Sequence, residues 1–66
     1  MINVWDYTDY KRVSIKCVDG EILEGELTSI DDEEESGLGE DAISLFTTDG
    51  RYLGVGQSEI LSIQVL

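Results

Sequence analysis

The sequence predicts an all-β domain of five short strands rolled into a small open barrel. Three observations predict it. Apolar and polar residues alternate over short stretches from Val13 onward, Asp19-Gly20 and Asp49-Gly50 punctuate those stretches, and proline is absent. Period-two alternation marks strands with one buried face. Evenly spaced short strands joined by tight turns indicate a barrel or sandwich.

The first strand is Val13–Val18, with Val13, Ile15 and Cys17 on the buried face and Ser14 and Lys16 outside. Asp19-Gly20 is a two-residue hairpin signal, and a type I′ turn with positive φ at both residues is expected. Strand two is 21–30, with Leu23 and Leu27 sharing a face and Gly25 between them. A glycine there marks a bend or a close backbone approach, as a strongly bent strand in a small barrel needs. Residues 31–41 carry seven carboxylates, Asp31, Asp32, Glu33, Glu34, Glu35, Glu40 and Asp41, with two glycines. Like-charge repulsion and glycine entropy disfavour regular structure, so a mobile loop is expected.

Strand three is 42–48, with Ile43 and Leu45 inward, and Asp49-Gly50 turns the chain into strand four, 51–55, with Leu53 and Val55 alternating. Residues 56–59 form a tight connection. Strand five is 60–66, with Leu61, Ile63 and Val65 on one face and Ile60 and Leu66 on the other. The segment before Val13 is aromatic-rich. A short helical or irregular stretch is expected there, packing Trp5 and Tyr7 over an open end of the barrel.

The chain has 66 residues, which suits a single domain, with residues 1–12 as its N-terminal segment and 13–66 as the barrel. A domain this small buries only about 60% of its unfolded surface. Disulfides, metals or oligomerisation commonly supply the deficit. One cysteine and no histidine rule out an internal disulfide and a zinc site of the usual kind, which leaves oligomerisation. The opening residues show neither a basic region nor a long apolar stretch, so no secretory leader or membrane helix is expected. A cytoplasmic location fits the lone thiol.

Fifteen acids against four bases give a net charge of −11. Such a surface repels phosphate backbones and anionic lipid, and favours basic proteins, cations or simple solubility. Catalysis is not expected: Cys17 reads as a buried structural thiol, and neither it nor the serines have a histidine to activate them.

Val13-x-Ile15 before Asp19-Gly20, then Gly25, a loop opening with Asp31, and Ile43-x-Leu45 resemble the first Sm motif. Leu53 to Ile63, with Ile60 and Ile63 near the end, resembles the second. The similarity runs from about Val13 to Val65, and the chain also looks like the small acidic LSM-type proteins of some bacteria. The resemblance implies a strongly bent, five-stranded SH3-like or Sm-like open barrel behind an N-terminal helical segment. It further implies ring assembly through strand four (51–55) of one subunit and strand five (60–65) of the next. Many such rings bind uridine- or adenine-rich RNA. Here the Met-Asn pair of the RNA-binding loop is missing, and Gly56-Gln57 stands where Arg-Gly is usual.

The leading expectation is therefore a non-enzymatic interaction or assembly module, a homo-oligomer docking its acidic surface and the 31–41 loop on a basic protein. The alternatives are an RNA-binding Sm-like protein using Trp5, Lys11, Arg12, Arg51 and Tyr52, with Tyr7 and Tyr10 as further aromatics, and a cation-binding module working through residues 31–41. No cofactor is expected. The aromatics also have a purely structural reading, as caps on the core.

Overall fold

The computed structural model describes residues 2–9 and 11–66. A 3-10 turn, Val4–Tyr7, precedes β1 (Arg12–Cys17), β2 (Ile22–Asp31), β3 (Ala42–Thr47) and β4 (Tyr52–Gly56); a second 3-10 turn, Gln57–Glu59, leads into β5 (Ile60–Val65). The strands form one antiparallel sheet in the order β4-β3-β2-β1-β5. Strand number, positions and polarity match the expectation. The sheet itself is not closed or strongly curled, and β4 and β5 are its two edges. A short N-terminal helical turn is present, and among the described residues no helix is long and apolar enough to cross a membrane.

The core comes from the alternating residues. Val13, Ile15, Ile43 and Leu45 are fully buried, and Cys17, Leu23, Val55 and Ile60 nearly so. Val4 of the first 3-10 turn is also fully buried, whereas Trp5 is 42% exposed. Trp5 and Tyr7 were expected to pack over an open end of a barrel; the fully buried residue of this turn is Val4, and Tyr7 is half-buried. The Asn3 side chain caps the turn by accepting from the Trp5 amide at 3.1 Å, which sends Val4 inward.

β2 is the central strand and the longest. Its first half pairs with β1 and its second with β3, and Gly25 stands in both ladders, opposite Val13 and Thr47. A side chain at Gly25 would meet the Phe46 carbonyl oxygen at 2.3 Å and the Thr47 Cα at 2.7 Å. The expected close backbone approach is therefore present.

Two bulges alter the phase of the pattern. Leu27 faces Leu45 while Ser29 faces Ser44, so Thr28 is the extra residue and Ile30 turns to the same side as Leu27. Thr28 uses its hydroxyl to donate to the Ser44 carbonyl at 3.1 Å. Likewise Lys16 faces Ser62 while Cys17 faces Ile60, which makes Leu61 extra. This corrects strand five: Ile60 is buried with Ile63 beside the core, and Leu61, expected inside, is 56% exposed.

The two hairpins also differ from expectation. Among the described residues none other than glycine has positive φ; Gly20 lies at φ 93° and Gly50 at φ 91°. Asp19 and Asp49 thus keep negative φ, which excludes type I′. Gly20 N–H donates to the Cys17 carbonyl at 2.9 Å, while Cys17 N–H donates to Glu21 at 2.8 Å. Gly50, Thr47 and Arg51 repeat the arrangement at 3.0 and 2.8 Å. Both connections are three-residue loops ending in a left-handed glycine.

Candidate interaction surfaces

The seven carboxylates expected to act together are divided by the fold. Asp31 ends β2, opposite Ala42. Asp32 folds the loop, its Oδ1 accepting from the amides of Glu34 (3.1 Å) and Glu35 (2.9 Å), and its carbonyl accepting from Ser36 N–H at 3.0 Å. Ser36 Oγ closes the other side by donating to the Glu40 carbonyl at 2.7 Å. No helix forms over 31–35; the loop expected between strands two and three is present, built of turns and bends held by these bonds.

Glu40 and Asp41 fasten this loop to its neighbours. Glu40 accepts from the Ser58 amide at 2.6 Å and from the Ser58 hydroxyl at 2.7 Å. Asp41 accepts from the Trp5 indole N–H at 2.9 Å, and its carbonyl accepts from Gln57 N–H at 2.9 Å. Gln57 in turn accepts from the Val4 amide at 3.1 Å. The acidic loop, the N-terminal turn and the β4–β5 connection are thereby joined at one corner. Glu33, Glu34 and Glu35 remain as the freely displayed acids, all exposed. Among the described residues no three potential metal ligands converge.

The aromatic and basic set is also split. Trp5 and Lys11 line one shallow groove of about 470 Å³ with Thr28 and Ile30. Tyr52 adjoins it, its hydroxyl 3.0 Å from Thr28 Oγ1. Arg12 lies on β1 opposite Glu26. Arg51 belongs to the second hairpin, where Asp49 holds it at 3.0 Å. Thr47 also donates to Asp49, and these two partners, Thr47 first, lower the Asp49 pKa. Tyr10 lies outside the described residues.

The sheet edges carry a different signature. β4 reads Tyr-Leu-Gly-Val-Gly and β5 reads Ile-Leu-Ser-Ile-Gln-Val, without one charged residue between them. Leu61 and Val65 are exposed along β5, Leu66 just beyond it, and Tyr52 along β4. Proteins commonly protect exposed edge strands with charge or proline, because unpaired N–H and C=O groups invite another strand. This chain is rich in charge and places none of it there.

Residues read from the sequence only as core or turn positions, joined by Glu21 and Glu59, form a cleft of about 310 Å³ between the first hairpin and β4. Cys17, Leu23, Leu53 and Val55 give it an apolar interior, while Asp19, Glu21 and Glu59 also line it. The Val18 amide donates to the Glu59 carbonyl at 2.9 Å, which brings the β4–β5 connection beside the hairpin. Burial pushes the Cys17 thiol pKa up, and the carboxylates of Asp19, Glu21 and Glu59 push it further. Glu21 and Glu59 lie far apart in sequence and no motif links them; only the folded contact does.

No family model, curated protein or solved structure matches the chain.

Proposed function

We propose that this domain is a non-enzymatic assembly module of the Sm-like kind, which associates with itself through β4 and β5 in the cytoplasm and offers an acidic exterior to a basic protein. The observation that carries the reading is the pair of charge-free edge strands in a chain of net charge −11. Opposite edges of one open sheet are suited to heterologous pairing, β4 of one copy with β5 of the next, which closes into a ring where the rotation permits. The sheet order and the 3-10 turn between β4 and β5 support kinship with Sm-like domains. The protonated, buried thiol and the absence of histidine support a non-catalytic role.

Charge opposes this association while apolar edge contact drives it. Light scattering after size-exclusion chromatography should therefore show a larger assembly as salt rises and screens the repulsion. Leu61→Lys combined with Gln64→Lys places charge on an exposed edge and should yield monomers with an unchanged circular dichroism spectrum. A wild-type protein that stays monomeric at high concentration and high salt would remove the basis of the assembly reading.

A further inference from the structure

We propose that the cleft between the first hairpin and β4 receives a long basic side chain, lysine or arginine, from the basic partner. This rests on the reading that the acidic exterior docks such a partner, and it assigns the contact to one place.

The chemistry of the cleft is two-part. Its interior is aliphatic: Leu23, Val55 and Cys17 are nearly buried, and Leu53 is half-buried. Its rim is anionic, with Asp19, Glu21 and Glu59, and no Lys or Arg lines it. Asp19 already accepts from the Glu21 amide at 2.9 Å. Among the described residues the one ion pair is Arg51–Asp49, so the rim carboxylates have no cationic partner among those residues. Lysine and arginine side chains match such a site, since they bury a methylene stem along apolar surface and keep the charged head at its margin. Anionic ligands are repelled, and a purely apolar side chain would leave the rim uncompensated.

The cleft is compatible with edge pairing. Side chains stand perpendicular to the sheet, so Leu53 and Val55 face the cleft while the backbone groups of β4 point sideways to a neighbouring strand.

The test uses the full chain at low salt and a fluorescein-labelled eight-residue peptide of alternating glycine and lysine. A second peptide replaces lysine with diaminobutyrate, assayed at about pH 6.5 so that it keeps the charge, and shortens the stem by two methylenes. Glu21→Gln with Glu59→Gln should weaken lysine-peptide binding about tenfold, as two exposed ion pairs allow. Glu33→Gln with Glu34→Gln removes the same charge from the 31–41 loop and should change binding less than about twofold. The short-stemmed peptide should bind the wild type about tenfold more weakly, through lost methylene burial.

Equal losses in the two double variants would overturn the cleft assignment and leave the acidic exterior as a diffuse attractor. Equal affinity for the two peptides would overturn it as well. No binding of the lysine peptide by the wild type would overturn the basic-partner reading itself. A smaller assembly in Glu21→Gln with Glu59→Gln, against the enlargement that lost repulsion would bring, and without changed peptide affinity, would overturn the assignment by showing that a second copy fills the cleft.

Discussion

Gly25→Ala should be among the most damaging single-methyl additions in this protein. The added carbon would lie 2.3 Å from the Phe46 carbonyl oxygen, 2.7 Å from the Thr47 Cα and 2.9 Å from the Phe46 carbonyl carbon. The closest of these is roughly 1 Å inside van der Waals contact. All three partners are backbone atoms, so no rotamer change relieves the clash. β2 and β3 must separate, and the Thr48 N–H to Glu24 carbonyl bond at 3.0 Å lies beside the contact. Losing one or two ladder bonds at about 1 kcal/mol each, and leaving buried groups unsatisfied at about 1–3 kcal/mol, gives a cost of about 3–5 kcal/mol. A domain of this size has a total stability of about 3–10 kcal/mol. Gly54→Ala is the control: it also lies in a strand, but nothing stands within 4 Å of the added carbon. It should be neutral or stabilising by about 0.5 kcal/mol. Urea titrations followed by far-ultraviolet circular dichroism measure both. A Gly25→Ala midpoint corresponding to less than 1 kcal/mol of destabilisation, with an unchanged slope, would refute the reasoning.

Other outcomes follow from the same contacts. Glu40→Ala deletes both bonds to Ser58 and should cost about 1–2 kcal/mol by urea titration, whereas Glu34→Ala should stay within about 0.5 kcal/mol. Trp5→Phe removes the indole donor to Asp41 and should cost about 1 kcal/mol, read by thermal melting. Ile43→Ala empties a fully buried position and should cost about 2–5 kcal/mol in the same assay. Thr47→Val removes the larger cause of the lowered Asp49 pKa. A carboxyl whose folded pKa is depressed adds stability above its unfolded value, near pH 4, and loses it as pH falls through the folded value. The melting-temperature gap between wild type and Thr47→Val should therefore be widest near neutral pH and narrow below about pH 4; a gap that widens on acidification would contradict the assignment.

Strand number, order along the chain and most of the core were legible because alternation reports burial directly. Val13, Ile15, Leu23, Ile43, Leu45 and Val55 all followed from it. Alternation fails where a bulge inserts a residue, and nothing local in Thr28 or Leu61 announces one. That is why Ile60 and Leu61 exchanged places. The turn type was misread because Asp-Gly suits both a two-residue loop and the end of a three-residue loop; strand register decides between them. Composition showed the acidic loop but not that Glu40 and Asp41 serve as fasteners, since their partners Ser58 and Trp5 lie elsewhere in the chain. The acid-rimmed cleft was invisible for the same reason.

The ladders β1–β2, β2–β3 and β3–β4 each join strands consecutive in sequence, while β1–β5 joins strands on either side of that whole meander. During synthesis the three hairpin-type pairings can zip up as their strands emerge, yet the backbone edge of β1 opposite β2 stays open until residues 60–65 have been made. For that interval the nascent chain has a vacancy that another molecule's strand could occupy. Rapid docking of β5 is then a kinetic safeguard against tangled, strand-swapped products.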